Sequence, residues 1–392
     1  MIAGAVAVGR LFAFAVATAS IGYLICSLVA AVRWRRRQRD ALAAACAPVT
    51  IFKPVCGLEP DLERNLLSFC DQDYPADVEI LIGARTAQDP AVAIARRVAA
   101  ARPDATIRII TGAYAIGANQ KVNTLARLDA EASHHLLVIA DSDVRVGPSY
   151  LRQVTAPLAD PTVGIVTCAY HGQPTPSVWS RLGALGMDDW YIASVRVALM
   201  FGSSAYCAGA TMALRREVLD AVGGFAPLAP FLADDYQLGA SVRDLGLRAV
   251  VSTYHPTVTT HEPDAVTLFD HELRWMRTIR TVQPYGHAFM FITYGLPMTL
   301  LAAPFLGAWG LAPFALALLL RLALHAAGRP RAGTDAAPDA DARLGIGALA
   351  TLLVVRDFLS FAVWAASFLG RRVSWRQQAL RVHPDGVLSG AD

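Results

Sequence analysis

Two aspartates one residue apart, Asp141 and Asp143, close the apolar run LLVIA at 136–140. Such a run reads as a buried strand. Alternation along a strand sends residues 141 and 143 to one side and Ser142 to the other. Two neighbouring carboxylates repel unless a positive charge lies between them. Further acids stand at comparable places, with Asp89 in ARTAQDP and the pair Asp234 and Asp235 in FLADDYQLG. Hard divalent ions such as Mg²⁺ or Mn²⁺ take carboxylate oxygens, and often combine one or two carboxylates with phosphate oxygens of a ligand. A metal held in this way relieves the repulsion and neutralises a nucleotide diphosphate as it leaves a sugar. The pair Asp234–Asp235 precedes a helix-like stretch, YQLGASVRDLG, and taken alone it reads as a helix cap.

These residues need elements to position them. Between about 48 and 286, VTIFKPV (49–55), EILIGA (79–84), IRIITG (107–112), LLVIAD (136–141) and VGIVTCAY (163–170) read as strands. LERNLLSFC (62–70) and PAVAIARRVAAA (90–101) read as helices between them; in the second, apolar residues at 92, 94, 95, 98 and 99 approximate one face. The alternation predicts an α/β fold with a mainly parallel, Rossmann-like sheet and helices on both faces. Ligands of such sheets collect beyond the carboxyl ends of the strands. The KPVCG turn, Asp89 and the Asp141/Asp143 pair are predicted to lie there. The chain carries no GxGxxG and no GxxxxGK[ST] loop, which argues against a Walker-type nucleotide site.

The 392 residues are 54% apolar and 17% charged, oilier than an ordinary soluble protein. Residues 11–33 are long enough to cross a bilayer, and RWRRRQR follows at 33–39. We read 1–40 as an uncleaved anchor with a basic cytoplasmic stop. The region 287–327 is apolar but broken by Gly295, Pro297, Pro304 and GAWGLAP, and reads as a membrane hairpin or two shallow helices. A polar linker is expected at 328–343. The apolar segment 344–372 contains Arg356–Asp357, charges that are costly in hydrocarbon. It is therefore expected to be re-entrant, or its two charges to neutralise each other. A basic tail, 373–392, is expected on the cytoplasmic face, and an even number of C-terminal crossings suits every basic segment. The net charge of +3 is concentrated beside these segments, which points to a bilayer and not to nucleic acid. Six cysteines without a CxxC pair read as reduced, structural thiols.

Several motifs in order resemble the ceramide glucosyltransferase family, a glycosyltransferase family 21 with the GT-A fold. They are FKPVCGLEPDLERNL, NQKVNTL, ADSDV, GATMALRREVLDAVGGF, LADDYQLG and HELRWMRTIR, within about 48–286 and flanked by the membrane segments. The family pattern of Asp, Asp-x-Asp, Asp and (Gln/Arg)-x-x-Arg-Trp falls on Asp89, Asp141–Asp143, Asp235 and His271–Trp275. His271 departs from the usual Gln or Arg, in a form similar to a bacterial branch that glycosylates hopanoid polyols. The resemblance implies roles. Lys53 and Pro54 line a uridine site, and Asp89 accepts hydrogen bonds from the base. Asp141 holds ribose or metal, Asp143 is the direct ligand of Mn²⁺ or Mg²⁺, and Lys121 reaches the donor phosphates. Asp235 is the general base, with Asp234 the next candidate. Arg274 neutralises diphosphate and Trp275 faces sugar or lipid, while His271 belongs to the acceptor end. His261 is a weaker candidate for the metal shell.

The combined expectation is an inverting transferase in a bacterial inner membrane, catalytic domain in the cytoplasm. It moves glucose or N-acetylglucosamine from a UDP-sugar to the hydroxyl of a membrane lipid, ceramide or a hopanoid polyol such as bacteriohopanetetrol. A processive polysaccharide synthase, a polyprenyl-phosphate sugar transferase and an inactive membrane scaffold are the competing readings.

Overall fold

The computed structural model describes residues 2–37, 46–203, 206–329, 344–370, 372–375, 378–383 and 385–390. Most of the expected linker, 330–343, lies outside the described residues, as do 38–45 at the expected basic stop and parts of the tail.

Strands β1 (Val49–Pro54), β2 (Val78–Ala84), β3 (Thr106–Thr111), β4 (Leu136–Ala140), β6 (Val163–Thr167), β8 (Thr211–Arg215) and β9 (Arg248–Val251) form a seven-stranded sheet in the order β3-β2-β1-β4-β8-β6-β9. All run parallel except β8, which is antiparallel to both β4 and β6. All five strands read from the sequence are present, while β8 and β9 were not foreseen. Two short strands, β5 (Val144–Arg145) and β7 (His171–Pro174), flank β10 (Thr257–Thr260) in a second sheet over the carboxyl rim. The main sheet is buried on both faces. Ile51, Ile80, Ile82 and Val138 enter one core; Phe52, Leu81, Leu137 and Ile139 enter the other. The split follows the period of two along each strand.

Helix starts are set by local chemistry. The Asp89 side chain accepts from Ala91 N, with Pro90 at the first helical position of 90–101. Asn119 accepts from Lys121 N and Val122 N and so starts helix 120–129 at the NQK segment. Asp264 accepts from Thr267 N and starts helix 265–282, which carries HELRW.

Among the described residues, three helices are long and apolar enough to cross a membrane: 7–36, 307–328 and 346–367. A bent pair, Pro284–Thr293 and Gly295–Phe305 with an angle of 68°, makes a fourth candidate if it is one span. The N-terminal helix packs on helices 295–302 and 312–328 and on helix 192–200 of the catalytic domain. Segment 346–367 is one continuous helix, and the expected mutual neutralisation of its two charges is corrected. Asp357 pairs with Arg321 at 2.8 Å, and Arg356 pairs with Glu272. Consecutive helical residues do not face each other, so each charge must find its partner on another helix. Asp189 joins the first pair, accepting from Arg321 through its carbonyl at 2.9 Å and contacting His325 at 2.9 Å.

The basic tail is folded. Strands β11 (Arg372–Trp375), β12 (Gln378–Val382) and β13 (Leu388–Gly390) form an antiparallel meander. Leu388 N donates to Pro230 O at 2.8 Å, and Val382 and Leu388 pack on Leu232. The tail thus braces the loop that leads into Asp234.

Candidate active site

The acid pair closes β4 as the sequence implies: Ser142 is buried while Asp141 and Asp143 are half-open on the rim. Two lysines reach it. Lys53, fully buried on β1, donates from Nζ to the Asp141 carbonyl and lies 4.0 Å from the Phe69 ring centre. Burial lowers its pKa to about 7, against the pull of Asp143, Asp141 and Glu59. Lys121 Nζ lies 2.7 Å from Asp141 Oδ1 and 3.7 Å from Asp234 Oδ2. Burial pushes the Lys121 pKa down, but Asp141 and Asp234 outweigh it and the net shift is upward. Asp143 moves the other way from a free carboxylate. Desolvation, then Asp141 and Glu59, raise it to about 7. The rim holds more negative charge than its lysines balance there.

That excess tests the fit of a cation. Asp141 and Asp143 present hard oxygen donors, and Glu59 adds negative potential, as a divalent ion requires. Among the described residues no group of three or more His, Cys, Asp or Glu could hold a metal by itself. A two-carboxylate site completed by ligand phosphates suits this donor set. His261 is exposed, with Nδ1 3.2 Å from Thr175 Oγ1.

Asp234 and Asp235 open helix 234–244, but neither is its cap; that position is Ala233. Asp235 Oδ1 accepts from Tyr236 N at 2.7 Å. Burial and the adjacent Asp234 raise its pKa to about 6. Asp234 is buried, and Asn119 Nδ2 donates to its Oδ1 at 3.3 Å. Gly209, in the GATMAL segment, makes room here: a Cβ at that position would stand 3.1 Å from Asp235 Oδ2 and 3.3 Å from Lys121 Nζ.

Asp235 lies on the wall of a cavity of about 660 Å³. Its mostly apolar walls include Tyr170, Trp190, Tyr191 and Trp275 from the catalytic domain. Tyr23 of the N-terminal helix and Ser360 and Val363 of the last helix also line it. The cavity therefore runs from Asp235 to the apolar N-terminal and C-terminal helices. Glu272 and Arg356 line it too, in a two-pronged pair at 2.5 and 2.6 Å.

The remaining predicted residues are placed as follows. Trp275 stacks edge-on against His271 with ring centres 4.5 Å apart, and His271 Nδ1 lies 2.6 Å from Glu262 Oε1. Arg274 and His271 are not among the residues lining the cavity, although Trp275 is. Pro54 ends β1 beside Lys53. Asp89 Oδ1 accepts from Gly57 N and Ala91 N, both at 2.9 Å, so this carboxylate already braces the KPVCG turn. Glu59, Gly209, Glu272 and Arg356 were not singled out from the sequence as site residues. Only Arg356 carried a signal, a charge within an apolar segment.

This mixed sheet, with acids at the carboxyl end of β4 and at the start of helix 234–244, defines a GT-A glycosyltransferase. The chain belongs to glycosyl transferase family 21, whose sequence model matches residues 12–388. Ceramide glucosyltransferase 3 of Caenorhabditis elegans is 23% identical over 244 residues, covering 60% of this chain and 51% of the relative. A ceramide glucosyltransferase of Komagataella phaffii is 35% identical over 102 residues, covering 25% of this chain and 20% of the relative. The match to the nematode protein thus spans about half of that relative's length. In fold the chain is similar to a mannosyltransferase from Pyrobaculum calidifontis in complex with GDP-Man and Mn²⁺. That likeness has a TM-score of 0.51 and 21% identity, over 92% of this chain and 99% of the other.

Proposed function

We propose that the chain transfers a hexose, glucose or N-acetylglucosamine, from a UDP-sugar to the hydroxyl of a membrane lipid, ceramide or a hopanoid polyol. The observation that carries this reading is the cavity that links Asp235 to Tyr23, Ser360 and Val363 of the membrane helices. A soluble acceptor needs no such passage, whereas a lipid head must reach the base while its chains stay in the bilayer.

Asp235 accepts the proton of the acceptor hydroxyl as that oxygen forms its bond to the anomeric carbon. The bond from that carbon to the donor phosphate oxygen breaks, and UDP leaves with the electron pair. A single displacement inverts the anomeric centre. Asp143, with Asp141, would hold Mn²⁺ or Mg²⁺, which when bound supplies positive charge to the leaving diphosphate. Lys121 holds Asp141 and Asp234 together and adds a point charge beside the phosphates. Lys53 and Pro54 fit the nucleoside side of the rim, and Asp89 retains acceptor capacity on Oδ2 for a base N–H. Arg274 and Trp275 serve the diphosphate and the acceptor. The basic residues that end the N-terminal helix favour a cytoplasmic catalytic domain, as in a bacterial inner membrane.

The test is transfer by the full chain in lipid nanodiscs. UDP-glucose and UDP-N-acetylglucosamine are each supplied with ceramide or with bacteriohopanetetrol, and the lipids are weighed by mass spectrometry. The expected result is one hexose or N-acetylhexosamine added to one of the lipids. If neither lipid gains a sugar from either donor, the reading is wrong.

A further inference from the structure

We infer that Glu272 is a specificity-determining residue that takes a hydrogen bond from a second donor group of the acceptor head, with Arg356 as the residue that positions it. The inference rests on the lipid-transfer reading above and assigns a second recognition point within the same cavity.

All five N–H groups of Arg356 are engaged. Nε and one N–H of the Nη2 group go to Ser360 Oγ at 3.0 and 2.8 Å. One N–H of Nη1 goes to the Leu182 carbonyl at 3.1 Å. The remaining two form the fork with Glu272 Oε1 and Oε2. A guanidinium so saturated has no donor left for a ligand. Glu272 is different. A carboxylate offers about four acceptor directions, and the fork uses two. Among the described residues the side-chain hydrogen bonds of Glu272 are those two, and Glu272 still borders the cavity that Asp235 borders.

The arrangement is costly unless used. A buried ion pair is seldom worth more than the apolar residues that could replace it. Here the pair stands in a mostly apolar cavity, with its outer oxygen directions open to whatever enters. A hydroxyl or amide N–H satisfies those directions; a hydrocarbon chain does not. The acceptor is thereby read at two points: the attacked hydroxyl at Asp235, and a second donor at Glu272.

The probes are two matched pairs of acceptors in nanodiscs. One is a short-chain ceramide with its 3-deoxy counterpart. The other is bacteriohopanetetrol with a counterpart one hydroxyl short. Glu272→Gln keeps one oxygen for the Arg356 fork and puts an amide N–H₂, a donor, where the second acceptor oxygen stood. We expect the variant to raise the KM of the complete lipid about 10- to 100-fold, the loss typical of one hydrogen bond to a charged group. The KM of the shortened lipid should change by less than about threefold. Glu272→Met with Arg356→Met, which leaves no unpaired charge buried, should lose the same preference. The ratio of the two lipids on one preparation cancels any difference in folded fraction. An equal change on both members of a pair would show that Glu272 only holds the helices together, and would overturn the inference. Failure of the unaltered protein to glycosylate either complete lipid overturns the lipid-transfer reading instead.

Discussion

Lys121 Nζ stands 2.7 Å from Asp141 Oδ1, so the charge that separates this acid from its neighbours in the protein alone is a lysine. The same ammonium is 3.7 Å from Asp234 Oδ2 and so ties the end of β4 to the start of helix 234–244. It sits at the first turn of helix 120–129, held by the Asn119 cap. One side chain therefore bridges the two acidic stations.

Lys121→Met should leave the half-open Asp141 and the buried Asp234 without their shared cation. Loss of one member of a fully buried pair typically costs about 3–5 kcal/mol, and solvent at Asp141 keeps the cost here below that. A fall in the thermal midpoint together with loss of UDP release is the expected result. A variant with unchanged stability and turnover would show that the contact is incidental.

Gly209→Ala should lower transfer more than it lowers stability. The added methyl meets Asp235 Oδ2 at 3.1 Å and Lys121 Nζ at 3.3 Å, so one of the two must shift. A misplacement of about 1 Å can cost about 100-fold in rate, so a shift of a few tenths should cost a smaller factor. Steady-state kinetics alongside a melting curve separates the two effects.

Asp235→Asn should reduce transfer by about 10²–10⁴-fold while donor binding persists. The pH profile follows from the shift. Burial and Asp234 raise the carboxyl to about pKa 6, so the base form is lost below that value. The rate should climb with pH up to about 6 and level off above it. In the Asn variant this ascending limb should vanish; its survival would assign the base elsewhere, with Asp234 next.

Chelation should abolish UDP release, and Mn²⁺ or Mg²⁺ should restore it. Asp143→Ala should not be restored, because it removes a hard oxygen donor from the rim. Metal content measured beside activity decides this. Full turnover in protein shown to be metal-free refutes it.

Asp357→Leu should destabilise the helix bundle by about 3–5 kcal/mol, since Arg321 is then buried without its carboxylate. Adding Arg321→Leu should recover much of the loss. Unfolding midpoints in detergent for the two single variants and the double variant measure the coupling.

What could be read in advance was local. Apolar alternation located β1, β2, β3, β4 and β6, and the apolar face of PAVAIARRVAAA gave a helix over 90–101 that the structure keeps. The stop of LLVIA at Asp141 placed the two acids on a turn, with Ser142 turned inward. Strands β8 and β9 escaped because GATMALRREV and LRAVV carry no clear alternation, and their strand state comes from pairing with β4 and β6. The Asp89 carboxylate also braces Gly57 across the KPVCG turn, a contact 32 residues apart that no local pattern shows.

The sequence by itself determined five of the seven strands of the main sheet, which segments are apolar enough to span a bilayer, and that the acids gather at strand and helix ends. Those features depend on residues within a few positions of one another, where alternation, capping and hydropathy act. Only the tertiary structure decided which charges meet. Arg356 and Asp357 are adjacent in the chain but diverge around their helix, so Arg356 finds Glu272, 84 residues away, and Asp357 finds Arg321. In a low-dielectric interior an ion must have a partner, but the partner's identity depends on how the helices pack, and packing is a property of the whole chain. The same holds for the cavity: Asp235, Tyr23 and Ser360 lie far apart in sequence, and only the assembled fold makes them walls of one space.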